Sequence, residues 1–507
     1  MINLVAYTKS TYVWLKNSVL FFIFLNKHFY SNIDENVSDK NTSCVIIQPW
    51  LLSAVPFYTM LMGIFLKKKG RKIDFIFDLN YVGNEYYYFL LQKRVLIFFS
   101  WFFRKKISII KSTDFPNNYS ETLSESILVK NATNSTIHFF KGEMIQEGRV
   151  EYYNLIYSQL KYASKFVLYL LNSKNYEYIY VPGGVRNTSC LYVEIAKEKN
   201  IRVVTFDSDF GVKITSINGI AAHLTDIPTS FDLIKNKISD KEISEVKKNV
   251  DLDISKRMNG TDHFRTQVDN TNNDESEAEI DIGVLILLNV SWDSAALGIH
   301  SIFTSYQEWL FFTIKFLLDS TKSTITIRQH PHERYPLVKS NDDFQHAIFE
   351  KFQNNSRINF VDCFSKINTY KLIYNSDFVV CFSSTAGVEA ALFNKQVIVA
   401  SNCYYSNFKF VSKPNTIDMY KYLITNAVIN IGTYNNIAIN DTYLCHILGQ
   451  SCNLIITDFT PVLSDYYKWI KLPPIQIYNS NKVQKYLDSI DKGIPMCYFN
   501  FLDNISI

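Results

Sequence analysis

The stretch IDIGVLILLNV at residues 280–290 is apolar at nearly every position, with no alternation between two faces. Such a run suits a strand covered on both sides, which is the habit of parallel sheets packed between helices. The chain then repeats the theme. Helical YQEWLFFTIKFLLDS is followed by the strand STITIRQHP, helical KINTYKLIYNSD, the strand and loop FVVCFSSTAG, helical VEAALFN and the strand KQVIVAS. This alternation over about 120 residues predicts a parallel sheet with helices on both faces.

The first half shows the same signature. YEYIYVPGG at 176–184, then CLYVEIAKEKN, then IRVVTFDSDFG spell strand, glycine turn, helix and strand, one right-handed βαβ unit. Between the halves lies DKEISEVKKNVDLDISKRMNG, a charged helix, followed by TQVDNTNNDESEAE, whose polar, acidic, Asn-rich composition marks a linker. The 507 residues are thus expected to divide into a domain over 1–235, a charged helix and linker over 236–279, a second domain over 280–460 and a helical tail over 461–507. Two α/β domains joined by a linker imply a cleft, with ligands at the carboxyl ends of the strands.

Composition excludes some classes. Lys plus Arg is 52 against 48 for Asp plus Glu, a net charge of +4, too balanced for a dedicated nucleic-acid binder. The eight cysteines form no C-x-x-C pair and no zinc-spaced cluster, so they are expected as free thiols in a reducing, cytoplasmic compartment. No signal peptide is discernible. Charge is uneven: residues 1–110 hold 14 Lys and Arg against 6 Asp and Glu.

Two apolar segments bear on membranes. WLLSAVPFYTMLMGIFL at 50–66 has no charge, but it stands between strand-like CVIIQP and KIDFIFD, so a buried helix of a β-α-β unit is expected rather than a span. KRVLIFFSWFFRKK at 93–106 is aromatic within and basic at both ends. It suits an interfacial helix on anionic lipid and a core-facing helix equally, because periodicity does not separate the two.

Polar and aromatic groups recur at the strand ends. Ser383, Ser384 and Thr385 fall between a buried strand and a helix start, with Gly387 allowing close backbone approach and Glu389 in the first turns. Hydroxyls and free N–H groups there suit a phosphate, although ordinary capping uses the same residues. TITIRQHPHERYP at 324–336 brings Arg328 and His330 to one side of an extended chain by period two, and they suit a phosphate or a solvated loop. Trp292 and Asp293 follow the strand at 280–290. In the first half, Asp207 and Asp209 of TFDSDFG form a D-x-D pair that suits a divalent ion, a general base or a plain turn. Gly183, Gly184 and Arg186 of VPGGVRN would cradle an acceptor or make a tight connection. There is no G-x-x-x-x-G-K-[ST], G-x-S-x-G or G-x-G-x-x-G, which argues against P-loop NTPases, α/β-hydrolases and the usual dinucleotide enzymes.

Taken in order, NVSWDSA, YQEWL, TIRQHPHERYP and TYKLIYNSDFVVCFSSTAGVEAALFNKQVIVASNCYY resemble bacterial capsule and surface-polysaccharide glycosyltransferases. The pattern is also similar to the His-Pro and Ser-Ser/Thr motifs of bacterial Kdo- and sialyltransferases. The resemblance implies a GT-B-like α/β fold, two Rossmann-like domains facing each other across a cleft, with the nucleotide-sugar in the second and the acceptor glycan mostly in the first. It implies a transferase for capsule or O-antigen type glycans, favouring a CMP-linked donor and needing no metal or other cofactor. His330, Ser383 and Ser384 would hold the phosphate, with Glu389 on the ribose. Asp207 or Asp209 would be the base, although Asp-Ser-Asp-Phe-Gly departs from the acidic-Asp-Gly of sialyltransferases. The expected partners are a nucleotide-sugar, a glycan or lipid-linked glycan and an anionic membrane contacted peripherally, with no nucleic acid. The place of work is the cytoplasm, extending to the inner face of the cell membrane. A CDP-polyol phosphotransferase of teichoic-acid-like polymers and a non-catalytic glycan-assembly protein are the alternatives.

Overall fold

A computed structural model of the chain describes residues 2–30, 42–50, 52–116, 118–144, 146–207, 214–259, 261, 282–299, 301–452 and 473–505. The chain forms two compact units, the first from 1–136, 147–226 and 453–500 and the second from 137–146, 227–452 and 501–507.

The first unit is built on six strands: β1 (Ser43–Ile47), β2 (Ile73–Phe77), β3 (Ser108–Lys111), β4 (Tyr178–Pro182), β5 (Arg202–Asp207) and β6 (Ile214–Ser216). Their order is β3-β2-β1-β4-β5-β6. All neighbours are parallel except β5 and β6. Every residue of β1, β2 and β4 is buried, which explains why, apart from Ser43 and Asp74, these strands are apolar rather than alternating. The charge-free run at 50–66 becomes helix Val55–Lys68, buried from Val55 to Leu66, so it is a core element. No described helix is long and apolar enough to cross a membrane.

The second unit carries β7 (Val284–Leu287), β8 (Ile325–Arg328), β9 (Ile358–Val361), β10 (Val379–Cys381) and β11 (Val397–Val399). The order is β11-β10-β7-β8-β9, all parallel. Both sheets are therefore Rossmann-like: the chain leaves the central strand in one direction and later returns to its other side, creating a switch point between β1 and β4 and another between β7 and β10. The expected fold class of two Rossmann-like α/β bodies is the one that forms.

The boundaries differ from those read in the sequence. The first unit gives way to the second at 226/227, not after 235. The charged helix, Asp240–Met258, opens on a capping box between Ser239 and Glu242 and buries Val246, Val250 and Ile254, and it is part of the second unit rather than an element between two domains. The polar stretch 266–279 lies outside the described residues. The tail is not a separate element either. In helix Asn481–Lys492, Val483, Leu487 and Ile490 join the first unit's core, and the Tyr486 hydroxyl meets those of Thr215 at 2.8 Å and Tyr180 at 3.2 Å. Residues spread along a periodic helical face acquire their partner only from a sheet formed far upstream.

Residues 137–146 are pinned within the second unit by two carboxylates. Asp342 accepts the N–H groups of Glu143 at 2.7 Å and Met144 at 2.9 Å. Glu143 in turn accepts from the N–H groups of Tyr306 and Gln307, at 3.1 and 3.0 Å, in the first turn of helix Tyr306–Ser320. A carboxylate there satisfies donors that the helix itself cannot.

Candidate functional site

At the β7–β10 switch point two loops leave adjacent parallel strands. Asn289, two residues beyond β7, accepts the Ser383 N–H at 3.3 Å. Its own N–H donates to the Tyr306 hydroxyl at 2.8 Å, which fixes the loop from behind. Ser383 and Ser384 are both buried. The Ser383 Oγ is buried without a hydrogen-bond partner among the described residues, an arrangement that costs free energy unless a ligand or water completes it. Thr385 is exposed and heads the short helix Ala386–Leu392 without a side-chain capping bond, so ordinary capping does not account for its hydroxyl.

Two residues of this motif face inward instead. A Cβ on Gly387 would lie 2.4 Å from the Tyr405 hydroxyl, so the glycine is required by Tyr405, whose hydroxyl donates to the Ser384 carbonyl. This is an internal packing role, not an open approach for a ligand. Glu389 is buried, and its Oε1 accepts from Arg257 Nη1 at 2.6 Å. Arg257 also meets Asp253 at 3.0 Å and Gln450 at 3.2 Å. Burial raises the Glu389 pKa, with Arg257 the strongest opposing influence. His446 is buried with Nε2 3.9 Å from Glu389 Oε1. Neither of its ring nitrogens has a hydrogen-bond partner among the described residues, and burial, with the Arg257 charge, lowers its pKa to about 3.

The end of β8, on the other side of β7, separates the two residues that period two had placed together. Arg328 is buried and donates to the carbonyls of Asp362 and Ile367 and to Thr369 Oγ1. It sews the loop after β9 to the sheet, rather than joining His330 on an open side. His330 is half-buried, and its Nδ1 accepts the His332 N–H at 3.3 Å. Burial first, then the charges of His332 and Arg328, lowers its pKa to about 3. The ring is thus neutral at ordinary pH, and with Nδ1 accepting, the proton sits on Nε2 as a donor. Glu333, in the same turn, was not singled out in the sequence. It is buried, accepts from Gln329 Nε2 at 2.9 Å, and burial raises its pKa to about 7.

Trp292 is half-buried and its indole donates to the Val338 carbonyl at 3.1 Å. Its ring stacks on His138 at 5.2 Å, and Lys141 Nζ lies 5.2 Å from its centroid. Asp293 is exposed in the following turn.

In the first unit, Gly183 and Gly184 follow β4 with φ of +69° and +109°, which only glycine adopts freely. A Cβ on Gly183 would also meet Trp50 at 2.9 Å. Arg186 stands extended just before helix Asn187–Glu198. Beside them Gln48, at the end of β1, donates to Thr188 at 2.8 Å and accepts from Ser189 at 2.7 Å, a polar cluster the sequence reading missed. Asp207 is half-buried at the end of β5, paired in register with Ile214. Asp209 lies outside the described residues.

The profile of the capsule polysaccharide biosynthesis protein family matches residues 230–416, the segment holding β7–β11, His330, Ser383 and Arg257. No curated protein matches the chain. Among solved structures, the KpsC β-Kdo 2,4 transferase of Thermosulfurimonas dismutans is similar at 10% identity over 53% of this chain and 79% of its own, with a TM-score of 0.35. The KpsC β-Kdo 2,7 transferase of the same organism shows 12% identity over 66% and 93%, with a TM-score of 0.33. UDP-N-acetylglucosamine 2-epimerase from Rickettsia bellii shows 14% identity over 90% and 99%, with a TM-score of 0.26. The fold assignment rests on the sheet order, not on these superpositions. The sequence match and the β7–β10 loops converge on one segment: residues 230–416 are similar to the capsule polysaccharide biosynthesis protein family.

Proposed function

We propose that the protein is a glycosyltransferase that moves a sugar from a nucleotide-activated donor, by preference CMP-linked, to a growing capsule or O-antigen type glycan without a metal ion. The observation that carries this reading is the Ser383 hydroxyl, buried without a partner among the described residues at the β7–β10 switch point, inside the segment that matches a capsule-synthesis family. In the reaction the leaving nucleotide develops charge on its phosphate, and preorganised donors stabilise that charge. His330 Nε2–H and the hydroxyls and N–H groups at Ser383, Ser384 and Thr385 supply them. Glu389, buried against Arg257 and hydrogen-bonded with Tyr370, is assigned to the ribose. Trp292 and Asp293 border the donor. The acceptor lies on the first unit's loop of Gly183, Gly184 and Arg186, and Asp207 or Asp209 takes the proton from its hydroxyl. The work is done in the cytoplasm, at the inner face of the membrane, on a glycan or lipid-linked glycan.

Thermal melts with CMP, CDP, UDP and GDP, with and without Mg²⁺, test the reading. A nucleotide at about 100 times its dissociation constant adds about 2.7 kcal/mol. A metal-independent upward shift with CMP, lost in His330→Ala, is expected. A shift with CDP alone would transfer the protein to polyol-phosphate chemistry. No shift with any of the four would sink the transferase.

A further inference from the structure

Helices Ile2–Tyr30 and Tyr86–Phe103 of the first unit contain no Asp or Glu. Each buries one face. Trp14, Phe21 and Leu25 turn inward, with the Phe21 and Trp14 rings 4.9 and 6.1 Å from that of Phe57. Phe89, Leu96, Phe99 and Phe103 do the same in the second helix. The outward faces are also apolar. Tyr12 is 67% exposed, Val19 59% and Ile23 41% on one helix, and Phe98 47% and Trp101 56% on the other. The two faces are joined, because the Phe22 ring lies 5.4 Å from Phe98 and 4.7 Å from Phe102. Exposed cations frame the patch: Lys16 and Lys27, then Arg94, Arg104 and Lys105. The Arg104 guanidinium sits 5.0 Å over the Trp101 ring.

We propose that this two-helix face is the surface by which the protein lies on an anionic lipid bilayer. Aromatic and aliphatic side chains would enter the headgroup boundary while the cations remain among the phosphates. Charge complementarity selects this occupant. A second copy of the chain would bring the same cations against one another, with no carboxylate on either helix to offset them. The helices lie flat, since neither is apolar and long enough to span. The surface belongs to the first unit and is independent of the donor reading, so either conclusion can fail alone.

Flotation of the full chain with vesicles of phosphatidylcholine, with or without about 30% phosphatidylglycerol, tests it. Binding to the anionic vesicles only, weakened by salt, is expected. The triple change Arg94→Gln, Arg104→Gln and Lys105→Gln should lower partitioning about 100-fold, equivalent to about 3 kcal/mol at about 1 kcal/mol per cation. Trp101→Ser should lower it about tenfold, with melting temperatures and nucleotide shifts unchanged. Brominated lipid should quench tryptophan emission in the unaltered chain, and less so in Trp101→Phe, a readout that survives any folding defect in the triple variant. Equal binding to neutral vesicles, no binding, or a triple variant that binds normally would overturn the proposal. So would a concentration-dependent dimer abolished by Trp101→Ser in a chain that ignores vesicles.

Discussion

Arg257→Met isolates the energetics of the buried charge cluster behind the β7–β10 loops. Its guanidinium meets Glu389 at 2.6 Å and Asp253 at 3.0 Å, with the arginine side chain 13% exposed and that of Glu389 7%. Methionine keeps much of the volume but leaves Glu389 buried without its cation. Removing one partner of a buried pair costs about 3–5 kcal/mol, whereas replacing both by uncharged groups is often nearly neutral. At about 2–4 °C per kcal/mol for a body of this size, the single variant should melt about 6–20 °C lower. Adding Glu389→Gln should restore most of that. The sign of the pH dependence is a second check. Burial raises the Glu389 pKa and Arg257 opposes that rise, so losing Arg257 raises it further. A carboxyl whose folded pKa exceeds its unfolded value stabilises fully below the unfolded pKa, near 4.5, and loses that contribution as pH climbs through the folded one. The deficit of Arg257→Met should therefore be larger at pH 8 than at pH 5, and the double variant should lack that slope. Denaturant melts at the two pH values measure all three chains. A deficit below about 1 kcal/mol, independent of pH, or a double variant no more stable than the single one, would refute a structural ion pair here.

Two further outcomes are expected. Burial holds the Glu333 carboxyl at about 7, above its unfolded value, so it too drains stability as pH rises from 4.5 through 7; between pH 5 and 8 the native chain should lose about 2–3 kcal/mol more than Glu333→Gln, and parallel stability profiles would deny it that role. Asp207→Asn and Asp209→Asn separate base from bystander, because only the base should lose turnover at unchanged donor affinity, and full rate in both would place the base elsewhere.

What could be read directly from the sequence is explained by burial on two faces. β4, β7 and β10 are buried at every position, so they write themselves as unbroken apolar runs. β9, at the sheet edge, has its middle residues only half-buried, and INFV carries no such signature. It was missed, along with helix Phe344–Lys351 before it.

The site divides along a similar line. A strand end facing a switch point is a consequence of topology, so Ser383 and Ser384 are legible as candidates from the strand–loop–helix order alone. Pairings between distant residues have no local trace. Arg257 stands 132 residues before Glu389 on a helix whose charge pattern is that of a solvated surface. Arg328 illustrates the other failure. Period two governs side chains only while the strand lasts, and β8 ends at Arg328 itself. Past that point the chain turns toward Pro331, and the side on which His330 emerges is set by the turn, while Arg328 is claimed by carbonyls of a loop 34 and 39 residues downstream. Chemistry-bearing residues within a strand are therefore more readily taken up by the fold than those one or two positions beyond it, and the unpartnered Ser383 hydroxyl and the neutral His330 ring both stand in that second class.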